Sequence, residues 1–432
     1  MAEKVELEKN DTLESNKVKS VAFSQVLLVG LICFSCPGMF NALSGMGGGG
    51  QVDPTIANHA NAALYACFAI FGFFASSFHN ALGPRLCLCL GGATYSLYAG
   101  SLLYYNIDAV GFPVIIAGAI LGCGAALLWT AQGAIMLSYP TEGEKGKYIA
   151  TFWVIFNLGG VLGGFIPFFI NFNSTGGSVN NATYIAFAVL MLLGSIYSLF
   201  IRDPATIYRS DGNKVEYPEP TDTKTELKGF LHAMTDMNVI VLLPAFVASN
   251  FFYAYQFNSV NGSIFNIRTR GLNNVFYWGM QMLGAYLFGK FVLDKPGYTR
   301  KQRGNLGLAI VAILSTLAWA IGTYLQFTVV ADHTVDFTDS RAIFPTIVYC
   351  LYGLLDAIYQ NYIYWLIGSL SNDTSVIARY VGAYKAFQSA GGAMAWQLDA
   401  VGTSYKAQVL INWGLMTLSF PFMYLTAKKL TR

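Results

Sequence analysis

Residues 202–228 read RDPATIYRSDGNKVEYPEPTDTKTELK, with three prolines and alternating charges, inside a chain that is otherwise overwhelmingly apolar. Such a stretch has too little apolar surface to bury and reads as a solvated linker. Outward from it, in both directions, stand apolar runs of the ~20 residues that a helix needs to cross a bilayer core. Six precede it, at about 20–42, 59–80, 86–106, 111–138, 148–171 and 182–201. Six follow, at about 238–258, 273–293, 304–330, 342–369, 376–398 and 405–427. Helices are expected because lipid offers backbone groups no partners, and the runs are too long for barrel strands. The segments are thus a tail (1–19), a six-helix bundle (20–201), a linker (202–237), a second bundle (238–427) and a short tail (428–432).

Composition agrees with this division. Of 432 residues, 54% are hydrophobic and 11% charged, where soluble proteins carry about 25% charged. An ordinary soluble enzyme is excluded, and a net charge of +3, spread along the chain, gives no nucleic-acid footprint. The seven cysteines lie in apolar runs, so no disulfide framework or metal-ligand set is expected, and neither a cofactor nor a catalytic motif is visible. The first 19 residues mix acids with lysines, unlike a signal peptide, so the first span is expected to be a retained anchor.

Lysine and arginine set the expected orientation. With the amino terminus inside, cytoplasmic segments hold 20 of them and exterior segments 4, namely Arg268, Arg270, Arg341 and Lys406. Positive residues stay cytoplasmic, so both termini are expected there, in a plasma or internal membrane. The glycosylation triplets at Asn173, Asn181 and Asn261 then fall outside, whereas the one at Asn372 falls inside and is expected to stay unmodified.

An all-α polytopic protein of twelve helices in two six-helix halves has the layout of the major facilitator fold, whose halves enclose a midplane cavity. Asn80-Ala81-Leu82-Gly83-Pro84-Arg85 and Asp294-Lys295-Pro296-Gly297 stand where that fold carries its gating motif, after spans 2 and 8. Asn80 replaces the acid and keeps only its hydrogen bond. Together with Leu128-Trp129-Thr130-Ala131-Gln132-Gly133, the loop Tyr139–Lys147 and Phe156-Asn157-Leu158-Gly159-Gly160, the first motif resembles the fungal branch of the uncoordinated-93-like family of ion channel regulatory proteins. The resemblance covers nearly all of 20–427. It implies the major facilitator fold and leaves two functions open. One is transport of a small solute. The other is a non-transporting accessory role, because the nematode namesake is described as a regulatory subunit of a two-pore potassium channel and a vertebrate relative as a receptor escort.

Asp356 stands midway along span 10. A carboxylate at the bilayer centre costs ~2.5–3.5 kcal/mol and must face a cavity or a partner. Lys385 in span 11 is the expected partner, with Gln360 one turn from Asp356 and Gln388 beside Lys385. The pair reads either as a solute- or proton-sensing site or as a static link between two helices. Spans 1, 4, 7 and 10 line the cavity of major facilitators, which adds Asn41, Trp129, Gln132, Asn250, Tyr253 and Gln256 as candidates. Apart from Asp356 these are uncharged, which suits a neutral or cationic solute; their alternative is interhelical packing. Gly159/Gly163 and Gly160/Gly164 are small-residue pairs suited to close helix contact. Gly47–Gly50 reads as a flexible loop, and Cys33 and Cys36 as packing.

Overall fold

The computed structural model describes residues 21–430 except 142–143, 175–177, 216–222, 330 and 372–373. The amino-terminal tail, residues 431–432, part of the linker and the Asn372 triplet lie outside the described residues.

Helix α1 spans Val21–Gly45 and winds as a π-helix over Phe34–Gly38, where Pro37 has no N–H to donate. The next helical run, Thr55–Asp108, is broken at Gly83, whose φ of 74° is open to glycine and is followed by Pro84. We number its halves α2 (55–82) and α3 (84–108). There follow α4 (Phe112–Ser138), α5 (Lys145–Ile170) and α6 (Asn181–Phe200). The linker contributes α7 (Thr223–Thr235). Asp236 then caps α8 (Met237–Gly262), accepting from the Asn238 N–H, and α8 turns π-helical over Tyr255–Gly262. The second group continues with α9 (267–293), α10 (Arg300–Thr328), α11 (Ser340–Ser369), α12 (Thr374–Ala400) and α13 (Tyr405–Lys429).

Nine helices among the described residues are long and apolar enough to cross a membrane, with 55–108 counted once at 54 residues. Taking that run as two and adding α9 and α12 gives the twelve stretches marked in the sequence. The last two are less apolar because they carry Arg270, Asn273, Asn274 and Gln281, and Lys385, Gln388 and Asp399. The polarity that weakens them as spans belongs to the sites described below.

Apolar side chains form two cores, one from residues 22–215 with Ile267, the other from 233–430 with Ala62. The groups meet along two seams, α2 against α12 and α5 against α9. Small residues bring the α5 seam together: Gly164 lies against the Gly271 carbonyl and Gly160 against the Trp278 ring, while Gly159 packs on α1. Facing outward are Ile70, Phe74, Leu90, Phe169, Ile313 and Leu418, an apolar surface that water would not tolerate.

Candidate functional site

Asp356 sits near the middle of α11, fully buried. Its Oδ2 accepts from Tyr253 Oη at 2.8 Å and from Gln281 Nε2, and Tyr277 Oη lies 3.2 Å away. Its Oδ1 accepts from Gln360 Nε2 at 2.5 Å. The Tyr277 hydroxyl shares its one proton between Asp356 and Gln256 Oε1, which is 2.8 Å distant. Rings wall the cluster: Tyr253 stacks on Phe257 with centroids 5.1 Å apart, and Phe257 meets the Tyr277 ring edge-on at 5.5 Å. Neutral donors satisfy the carboxylate, as a buried charge requires.

The expected contact between Lys385 and Asp356 is not formed. Lys385 Nζ donates to Gln388 Oε1 at 2.8 Å and stands 5.4 and 5.5 Å from the ring centroids of Tyr364 and Tyr384. Those rings and the amide already hold the ammonium, so it has no need of the acid. The two charges are joined only at a distance, because Gln388 Nε2 donates to Gln360 Oε1 at 2.9 Å and Gln360 donates to Asp356. Of the residues singled out from the sequence, Tyr253, Asp356 and Gln360 meet directly, Gln256 joins through the Tyr277 hydroxyl, and Lys385 joins by relay through Gln388. Asn41, Trp129, Gln132 and Asn250 are half-buried, and among the described residues no hydrogen bond links them to the cluster. Trp129 instead packs edge-on against Phe156 at 5.4 Å. Tyr277 and Gln281 went unanticipated because span 8 is not among the expected lining helices. Their signal was a Tyr and a Gln four residues apart in an apolar helix.

A second polar cluster ties the two helix groups together at the end bearing the 46–51 loop. Helix α1 ends at Gly45, leaving carbonyls without intrahelical partners. The other group supplies the donors. Asn274 Nδ2 donates to Ala42 O at 2.6 Å, and Asn261 Nδ2 and Tyr349 Oη donate to Gly45 O at 2.8 and 3.0 Å. The buried Arg270 reaches Met46 O through Nε at 2.7 Å and Gly47 O and Gln51 O through Nη2 at 2.9 and 3.1 Å. Asp399, 8% exposed, joins the loop through Asn258 and accepts from Asn58 Nδ2 at 2.7 Å, Asn258 Nδ2 at 2.6 Å and Gln408 Nε2 at 2.6 Å. Asn258 Oδ1 in turn accepts the Gly48 N–H at 2.7 Å.

These contacts correct several expectations. Residues 48–50 are not an open loop but buried, and Gly47 could hold no side chain, since a Cβ would lie 2.4 Å from Phe257 O at a φ of 78°. Arg270 is not an exterior loop residue, because α9 begins at Ile267 and takes it inside. Asn261 is fully buried with its amide bonded to Gly45 O and Arg270 O, which leaves no nitrogen for a glycan; Asn173 and Asn181 are exposed. Asn258, Asn261, Arg270, Asn273 and Asn274 could have been found as polar residues recurring at helical spacing.

At the motif positions, Arg85 Nε donates to Ile201 O at 2.7 Å and so fastens the start of α3 to the end of α6. Asn80 is half-buried near the Gly83 break. Asp294 and Lys295 lie in the turn completed by Gly297, with Lys295 Nζ 4.3 Å over the Tyr298 ring. Asp336, between α10 and α11, pairs with Arg268 Nε in the first turn of α9 at 2.6 Å. Burial alone would raise the Asp336 pKa, but hydrogen bonds from Arg268, Asn266 and Thr338 outweigh it and hold the carboxyl well below its ordinary range.

A family model described as "Ion channel regulatory protein UNC-93" matches residues 49–400. UNC93-like protein 1 of Arabidopsis thaliana is 49% identical over 428 residues, covering 97% of this chain and 92% of the relative. UNC93-like protein C922.05c of Schizosaccharomyces pombe is 43% identical over 404 residues, covering 91% and 80%. Among solved structures, a D-xylose-proton symporter superposes with a TM-score of 0.65 at 13% identity, covering 95% of this chain and 97% of the symporter. That likeness gives the major facilitator fold, and the fold alone.

Proposed function

The chain belongs to the UNC-93 family, and from that premise we propose that it moves a small neutral or cationic solute across a membrane by alternating access. The observation that carries the reading is Asp356, a fully buried carboxylate surrounded by neutral donors and aromatic rings, with no ion pair among the described residues. A charge kept at that depth without a counter-ion fits a transient positive partner, a solute cation or a proton. Tyr253, Gln256, Tyr277, Gln281 and Gln360 would orient the solute, and Lys385 would sense the acid through Gln388 and Gln360.

In this reading residues 20–201 and 238–427 rock against one another along the α2–α12 and α5–α9 seams, and Arg85 and the Asp294–Gly297 turn brace the helix ends as the halves move. Both termini face the cytoplasm, as the distribution of lysine and arginine supports. The cluster around Arg270 and Asp399 then closes the exterior. A second reading, an accessory subunit of an ion channel or an escort of client membrane proteins, is favoured by the regulatory description of the family and by Asn80 in place of the motif acid.

Purified protein reconstituted in liposomes tests the choice, with radiolabelled cations and neutral metabolites as probes and Asp356→Asn as the comparison. Uptake of one probe, reduced at least tenfold by Asp356→Asn, supports transport. Uptake of none, together with co-purification of a channel, supports the accessory reading.

A further inference from the structure

At its linker end α9 does not finish as an ordinary helix. Over Gly289–Leu293 it winds as a π-helix, closed by the Asp294 N–H on Gly289 O at 2.8 Å. Beside that turn Tyr286 and Phe291 are more than half exposed, at 58% and 56%, on a groove of about 940 Å3 whose lining includes Ala285, Lys290, Asp294 and Lys295. Lys290 Nζ lies 3.0 Å from Tyr286 Oη and 5.4 Å from the centroids of both exposed rings. Among the described residues neither lysine is ion-paired. Residues 290–303 carry Lys290, Lys295, Arg300, Lys301 and Arg303 against the single acid Asp294.

We propose that this groove binds the headgroup of an anionic phospholipid. Its position at the end of a membrane span puts it at headgroup depth, where tyrosine and the tip of a lysine are at home. Lys290 and Lys295 approach the groove from the span and from the turn, so one phosphate between them meets two cations. Tyr286 and Phe291 offer apolar area to the glycerol and upper acyl carbons. A free phosphate would satisfy the lysines but leave those rings in water, and the net positive charge selects an anionic over a zwitterionic headgroup. The orientation proposed above makes this the cytoplasmic leaflet, where anionic lipids reside. Binding itself does not depend on whether the chain transports anything.

The test uses the full-length chain equilibrated in phosphatidylcholine vesicles containing phosphatidylserine, then extracted, with bound lipid counted by native mass spectrometry. A cation that meets the phosphate directly changes binding about fivefold, while one that only faces it through water is largely screened. Lys290→Gln/Lys295→Gln should therefore lower retained phosphatidylserine relative to phosphatidylcholine by about 25-fold. Arg300→Gln/Lys301→Gln removes equal charge outside the groove and should leave the ratio within about twofold. Lys290→Arg/Lys295→Arg should keep it, which separates lost binding from lost folding. Equal falls in both glutamine variants would show diffuse attraction and overturn the site, as would no fall in either.

Discussion

Replacing Arg270 by methionine removes the guanidinium from the second cluster while keeping an unbranched apolar stem. At least three hydrogen bonds are lost, those to Met46, Gly47 and Gln51, each worth about 1.5–3 kcal/mol when the donor is charged. Part of that loss is offset, because methionine also abolishes the cost of taking a guanidinium out of water, several kcal/mol in its own right. With the bonds at ~6 kcal/mol and the relief at ~3, the closed end is weakened by about 3 kcal/mol, a shift of roughly a hundredfold toward opening. A cysteine at Ser44, which is 7% exposed in the closed arrangement, reports the opening once the seven native cysteines are replaced. A membrane-impermeant thiol reagent added outside should label Arg270→Met about a hundredfold faster than the parent. Arg341→Gln, which breaks an exposed ion pair with Asp339 in the same region, serves as the control. Labelling of Arg270→Met no faster than of Arg341→Gln would refute the assignment of this cluster as the closing contact.

Gly160→Leu forces a side chain into the Trp278 ring, which already lies 2.8 Å from where a Cβ would be; overpacking of this kind costs about 1–3 kcal/mol, seen as a lower melting midpoint in detergent. Glycosidase treatment after expression in a glycosylating host should show no mobility difference between the parent and Asn261→Gln, since the Asn261 amide is buried; a shift unique to that variant would contradict the burial. The lowered pKa of Asp336 makes its contribution to stability complete above the unfolded value of about 4 and progressively lost as pH falls below it. Thermal unfolding between pH 7 and 3 should therefore show an acid-side loss that Asp336→Asn lacks.

The helical layout was legible because lipid demands long, unbroken apolar runs, and those runs need no tertiary knowledge to be seen. The acid at Asp356 was legible for the converse reason: a carboxylate in such a run must be accommodated. What escaped was partnership. A rise of 1.5 Å per residue puts Lys385 near enough to Asp356, but cannot say that the Tyr364 and Tyr384 rings will hold it elsewhere. The Arg270 cluster escaped because helix ends are poorly marked in sequence, and a start placed six residues late, at 273 rather than Ile267, left its central residue in a loop. Asn261 shows the same limit, since one triplet spells both a glycan acceptor and a buried amide.

Across Tyr255–Gly262 the backbone hydrogen bonds reach one residue further along the chain than in the neighbouring α-helix. On that coil Gln256 accepts from Tyr277 beside Asp356, and Asn261, five residues on, holds the end of α1. Five is the hydrogen-bond spacing of a π-helix, whose wider turn sets the two amides closer in azimuth than an ordinary helix would. Let the coil tighten to the ordinary pitch and they diverge. In the transport reading, a solute that pulled on Gln256 would tug the same spring whose far end is hooked to Gly45.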